Sequence, residues 1–209
     1  MARIAYAWEF GAHLGHIGAF LPMARALRER GHDIDWIVAQ VSSAARLLDK
    51  EGFTWLQAPV IAEARREGPP LTYTDILLRF GYANPSDLLG LVVGWRELLR
   101  LAGSQLVMAD HAPTALLAAR TLRLPVVLFS SGFCIPPRQY PMPNMRPWIP
   151  LPPERLLAIE QEALVTINAV LAHFGQPPLT AVWQLFDVAE DTLQGFPELD
   201  HYAERGAAR

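Results

Sequence analysis

The chain has 209 residues, 51% of them hydrophobic, enough apolar material for one well-packed domain. A formal net charge of −3 excludes the cationic footprint of a nucleic-acid binder. Cys134 is the single cysteine, so an internal disulfide is excluded and a reducing, cytoplasmic compartment is the simplest reading. The N-terminus lacks the basic-then-apolar layout of a signal peptide, and no apolar run is expected to reach membrane-spanning length.

Arg3–Trp8 is apolar and alternating, which predicts a first strand. Residues 15–30 carry Ile17, Phe20, Leu21, Ala24 and Leu27 at helical spacing, and Gly31 stops the helix. Strand two is expected over 34–39. Ser42 or Ser43 is placed to cap a helix running to Lys50, with Gly52 at its end. Strand three covers 53–57, and a charged, proline-bounded loop follows from Pro59 to Pro70. Helices are predicted over 71–82 and 86–102. Strand four covers 105–109 and ends at Asp110. Pro113 opens a helix to Leu122, where its missing N–H costs nothing. Strand five covers 125–129 and runs into Ser130-Ser131-Gly132.

The texture then changes. Residues 136–153 hold eight of the eighteen prolines, with Tyr140, Met142, Met145 and Trp148 among them. This is a long ordered or semi-ordered loop, not a flexible linker. Its apolar side chains suit core cover or a hydrophobic ligand equally well. An amphipathic helix is predicted over 154–174, and a short last strand over 191–196. The segment from His201 is polar and has no core pattern.

Strand–helix alternation predicts an α/β fold: a Rossmann-like, doubly wound parallel sheet in a single domain, with right-handed crossovers and helices on both faces. The common order 3-2-1-4-5 makes strands one and four neighbours, and ligands bind outside the carboxyl ends of the strands where the winding reverses. His16 follows strand one in Phe10-Gly11-Ala12-His13-Leu14-Gly15-His16, and Asp110 ends strand four. Topology alone brings these residues, 94 apart in sequence, to one crevice. Imidazole is the side chain best suited to move a proton near neutral pH. Plainer roles stand beside this one: His16 as a structural cap or a satisfied polar group, and Asp110 as the cap of the helix at Pro113. His111 reads as a surface or capping histidine.

Other chemistries fit less well. Gly11-x-x-x-Gly15-x-x-Gly18 is not the G-x-G-x-x-G dinucleotide fingerprint, and Ala39-Gln40 stands where a ribose-binding acid belongs. There is no Walker A motif. His13 and His16 are three apart, but without H-E-x-x-H or a second cysteine no metal site is expected. A hydrolase elbow G-x-S-x-G is absent.

Four segments carry a family resemblance. Residues 1–40, with Gly15-His16-Ile17 in the turn and Arg30-Gly31-His32 before strand two, look like the start of a UDP-glycosyltransferase-type enzyme of the GT-B fold. Leu106 to Val127, with Asp110, Ala115 and Leu124-Pro125, is similar to the family's D…A…LGIP segment. Leu171 to Pro178 and on to Phe186 looks like the acceptor-side helix and loop of bacterial members. Phe196 to Asp200 resembles the approach to their interdomain linker. The sequence departs from the pattern at Gly18 and Ala19, where many members have a small polar residue and proline.

The resemblance implies that residues 1–200 are the N-terminal, acceptor-binding half of a bacterial enzyme and that 201–209 begin a linker, with the C-terminal donor-binding half missing. It implies transfer of a sugar from a nucleotide-diphosphate sugar to a hydroxyl of a small, apolar acceptor, inverting the anomeric carbon. His16 would be the general base and Asp110 its partner. Phe10, His13, Gly15, Phe133, Tyr140 and Trp148 would contact substrate. No cofactor, metal, nucleic acid or membrane is expected, and the partner would be the donor half or a second chain supplying it. The chain alone would then be inactive. Its rivals are a stand-alone binding or partner domain, and another small α/β enzyme such as a hydrolase or an NAD-binding protein.

Overall fold

A computed structural model describes residues 1–209 apart from 13, 197, 199, 203, 204 and 206–209. By its internal contacts the chain divides into two compact units: Met1–Val60, Val92–Ser130 and Val188–Leu193 in the first, and Ile61–Leu91, Ser131–Asp187 and Gln194–Arg209 in the second.

The first unit holds one parallel sheet of six strands: β1 (Arg3–Trp8), β2 (Asp33–Val38), β3 (Thr54–Gln57), β4 (Leu106–Asp110), β5 (Val126–Ser130) and β6 (Glu190–Leu193). Their spatial order is β3-β2-β1-β4-β5-β6, and every pairing is parallel. The predicted order is therefore found, with β6 added beside β5. That strand is shorter than predicted: it ends at Leu193, which pairs with Ser130 at the end of β5.

Helix α1 (Gly15–Glu29) follows β1 and buries Ile17, Phe20 and Ala24 at three- and four-residue steps. These meet an aromatic core. The Phe20 ring stacks on Tyr6 at 4.4 Å and meets Trp36 and Phe129 edge-on at 5.3 and 5.2 Å. The start of α1 is thereby fixed against the sheet, and His16 with it. Helix α2 (Val41–Leu48) begins earlier than its predicted serine cap. Gln40 holds the cap position but its side chain accepts no capping bond from the helix backbone; Ser43 Oγ donates to its Oε1 at 3.2 Å. The last helix of the first unit, Pro113–Leu122, begins at the predicted proline.

In the second unit, one helix covers Tyr73–Arg79, capped by Thr72 through a 3.0 Å bond from the Asp75 N–H. Another, Pro85–Leu101, begins here and continues into the first unit. The longest, Pro153–His173, is long and apolar enough to cross a membrane by length and composition, which corrects the expectation that no run reaches that length. It reads as a core helix, because Ile159, Ala163, Leu164, Ile167, Val170 and Leu171 are buried along one stripe. Glu160 on that stripe is itself buried and accepts bonds from Thr74 Oγ1 (2.9 Å), Val182 N (2.7 Å) and Met142 N (3.4 Å). Burial pushes its carboxyl up from the ordinary range. Met142 and Met145 from the proline-rich loop are buried, which favours core cover for both. Of the described residues after Asp200, Tyr202 is buried, and Arg205 bonds Asp200 and the Gly132 carbonyl.

Candidate active site

Strands β1 and β4 are paired so that Trp8 stands opposite Asp110. Beyond this pair the chain of β1 turns away, its course fixed by a 2.9 Å bond from the Phe10 N–H to the His111 carbonyl. It then enters α1, where His16 is the second helical residue. His16 Nδ1 lies 2.7 Å from Asp110 Oδ2. The imidazole stacks on the Trp8 ring at 5.0 Å and 21°, so both its plane and its hydrogen-bonded edge are set. Asp110 is 4% exposed. Its Oδ1 accepts a short bond from Ser130 Oγ, at the end of β5. Its Oδ2 also lies 2.9 Å from the Tyr6 hydroxyl of β1, which is 2.9 Å from the His16 carbonyl oxygen as well. A carboxylate with these donors orients an imidazole, fixes its Nδ1–H tautomer and leaves Nε2 as an acceptor.

Gly11 lies over that second nitrogen. Its φ is +90, a conformation glycine adopts freely. A Cβ there would stand 2.9 Å from His16 Nε2 and 3.7 Å from His111 Nδ1. The glycine therefore keeps open the edge of His16 that Asp110 does not hold.

Neither His16 nor Asp110 caps a helix through its side chain. Helix α1 has Leu14 at its cap position and no side-chain cap, while His16 is turned to Asp110. Asp110 does not cap the helix at Pro113 either; buried Glu9 does that, accepting from the Thr114 N–H at 2.8 Å and from the Ala115 backbone. Burial pushes the Glu9 carboxyl up to about 8, against the pull of these bonds. His111 is not a surface residue. It is 8% exposed with φ 48, and its ring centroid is 6.2 Å from that of His16. Burial, and next the neighbouring His16, push its pKa down to about 4, so His111 is neutral near pH 7.

Of the other predicted contact residues, Phe10 and Gly15 lie in the same unit as the pair. Phe10 is 6% exposed and meets the His111 ring edge-on at 5.4 Å. Its ring packs on His111 and presents little surface of its own. Gly15 is exposed with open space where a side chain would stand, so nothing around it demands glycine. His13 lies outside the described residues. Phe133, Tyr140 and Trp148 belong to the second unit. There Phe133 meets Tyr73 edge-on at 6.3 Å, the Tyr140 hydroxyl accepts from Gln161 at 2.7 Å, and Trp148 is 72% exposed. Ile135, close by in sequence, is buried. The second unit also holds a cavity of about 480 Å³ whose lining includes Arg66, Leu71, Asp75, Ile149 and Ile159 and none of the candidate catalytic residues. Among the described residues, no group of three or more His, Cys, Asp or Glu is placed to hold a metal ion.

Sequence reasoning did not single out Tyr6, Ser130 or Glu9. One signal was available for two of them: Tyr6 is two residues before Trp8 in a strand, and Ser130 ends the strand beside β4, so each falls near Asp110 once the strand order is known.

No family model matches the sequence, and no curated protein does. Solved structures do. The chain is similar to CalG4, the calicheamicin glycosyltransferase, at 20% identity over 89% of this chain and 45% of that one, with a TM-score of 0.57. It is similar to the spinosyn forosaminyltransferase SpnP at 16% identity over 91% and 45%, TM-score 0.52. For the glycosyltransferase SnogD from Streptomyces nogalater the values are 16%, 92% and 45%, with a TM-score of 0.51. At these identities the likeness is one of fold: this chain has the α/β, Rossmann-like fold found in GT-B glycosyltransferases. It spans less than half the length of each of these structures.

Proposed function

We propose that the chain is the N-terminal, acceptor-binding half of an inverting glycosyltransferase that works in the cytoplasm, with His16 as general base. The observation that carries this reading is the 2.7 Å contact from Asp110 Oδ2 to His16 Nδ1, made at the carboxyl ends of adjacent strands, with the Nε2 edge left open over Gly11. His16 Nε2 takes the proton of an acceptor hydroxyl as its oxygen attacks the anomeric carbon of a nucleotide-diphosphate sugar. The bond from that carbon to the diphosphate breaks, its electron pair leaving with the diphosphate, and the configuration inverts. Asp110 accepts from Nδ1–H throughout and stabilises the imidazolium. The acceptor is a small, mainly apolar molecule with a free hydroxyl. The donor-binding half comes from outside these 209 residues.

Transfer assays with a donor-binding domain supplied, using His16→Ala, Asp110→Asn and the double variant, test the reading. Removal of a general base costs on the order of 10²–10⁴ in rate. His16→Ala is expected to lose that much turnover with little change in acceptor binding. Asp110→Asn is expected to lose turnover as well, because an amide permits the wrong tautomer. The two losses should not add, since both act on one proton transfer. Wild-type turnover in His16→Ala, or losses that multiply in full, would reduce His16 to a structural residue.

A further inference from the structure

We propose that Tyr6 and Ser130 are positioning residues that lock the Asp110 carboxylate and, through it, the tautomer of His16. The inference rests on the reading of His16 as the base and assigns roles to two residues that reading does not use.

A carboxylate turns easily about its last side-chain torsion, which is broad and roughly two-fold. One bond to His16 would not hold it. Asp110 lies on β4, between β1 and β5, and each neighbour sends one hydroxyl to it. Ser130 Oγ donates to Oδ1, and the Tyr6 hydroxyl lies 2.9 Å from Oδ2, the oxygen that faces His16 Nδ1. The two oxygens are thus held from opposite sides. Neither hydroxyl can swing away freely. Tyr6 is fully buried and its ring is stacked on Phe20 at 4.4 Å, and Ser130 is buried at the end of its strand. Water has little access to replace either one if it is removed, so the loss is felt by Asp110 itself.

The Tyr6 hydroxyl does a second thing. It lies 2.9 Å from the His16 backbone oxygen as well as from Asp110 Oδ2, so its one proton is shared between these two acceptors, and the first turn of α1 and the carboxylate are referred to one atom. Ser130 is given no nucleophilic part by this arrangement: it is buried and its hydroxyl proton is directed at Asp110.

The test reads the His16 tautomer directly, in the chain as it stands, by long-range proton–nitrogen correlation of the imidazole ring, with the resonances assigned by their loss in His16→Ala. The wild type is expected to show a protonated Nδ1 and an acceptor Nε2. Tyr6→Phe combined with Ser130→Ala keeps the ring packing and the fold, to be checked by circular dichroism. It is expected to lower the ratio of the two tautomers by about tenfold, the scale of one ordinary hydrogen bond. Tyr6→Phe alone should give part of that change, and Ser130→Thr, which retains a hydroxyl, should give none. A merely structural role would leave the tautomer untouched. Asp110→Asn separates the two layers of the argument. If it abolishes the preference while the Tyr6/Ser130 variant keeps the wild-type tautomer, the positioning role is overturned and the Asp110–His16 pair stands. If it too keeps the wild-type tautomer, both fall.

Discussion

Glu9 and His111 place two perturbed titrations beside the His16–Asp110 pair, and their signs oppose each other. The Glu9 carboxyl is held at about 8 against an ordinary 4.5, so between those values the folded state holds a proton that the unfolded chain has lost. Its contribution to stability therefore falls as pH rises through that window. His111 titrates near 4 against 6.5, so the unfolded chain binds the extra proton there. Its contribution rises with pH up to 6.5. The two offset one another between about pH 4.5 and 6.5, and above 6.5 Glu9 acts alone at about 1.4 kcal/mol per pH unit. Wild-type protein is expected to lose roughly 2 kcal/mol relative to Glu9→Gln between pH 6.5 and 8, with urea midpoints as the measure. Parallel midpoints for the two proteins across that range would mean that Glu9 is ionised in the folded state. None of this was visible in the sequence, where Glu9 is one acid after a strand. Its burial and its place at the start of the Pro113 helix are products of tertiary packing. His16 and Asp110 were legible because strand order alone, without side-chain detail, puts their backbones at one edge.

In the proposed mechanism the turn between β1 and α1 carries the chemistry, and there it depends on one glycine. At Gly11 a side chain meets two obstacles: φ of +90, and a Cβ position 2.9 Å from His16 Nε2. The first costs on the order of 1–3 kcal/mol for a non-glycine residue. The second either displaces the imidazole or covers the nitrogen that would take the proton. Gly11→Ala is expected to lower stability by about that amount and to lower turnover by at least tenfold. Its far-ultraviolet spectrum should be unchanged. Gly15→Ala is the control. Nothing stands within 4 Å of its Cβ position, and alanine favours the helix it begins, so stability should hold or rise. A Gly11→Ala protein with wild-type turnover would show that the Nε2 edge of His16 is not where the acceptor enters. At this scale the sequence was informative wherever periodicity was strong. Helix α1 and the helix from Pro113 were found within a residue of their predicted bounds. It misled where a local signal competed with packing. The serines at 42 and 43 looked like caps, yet α2 starts before them.

Across the whole molecule, one parallel sheet and a likeness of fold that spans less than half of each compared enzyme define what the chain can be asked to do alone. The part with a chemically specific arrangement lies in the first unit, built around His16. Glycine-rich phosphate cradles of the known kinds are absent from the sequence, and the glycines of the first turn do not substitute for one: Gly15 and Gly18 have open space around them, where a cradle would need close approach. Gly11 is spoken for by the imidazole. Two binding experiments on the same preparation follow. Hydroxylated, mainly apolar acceptors should raise the melting temperature, because ligand that binds only the folded state stabilises it by mass action. UDP- and dTDP-sugars should give no calorimetric binding signal below the millimolar range. A micromolar dissociation constant for a nucleotide sugar would mean that these 209 residues hold their own donor site, and the division of labour proposed for this chain would have to be abandoned. Acceptor stabilisation without nucleotide binding would place the sugar donor on the other half, and would make transfer conditional on a second domain closing over His16.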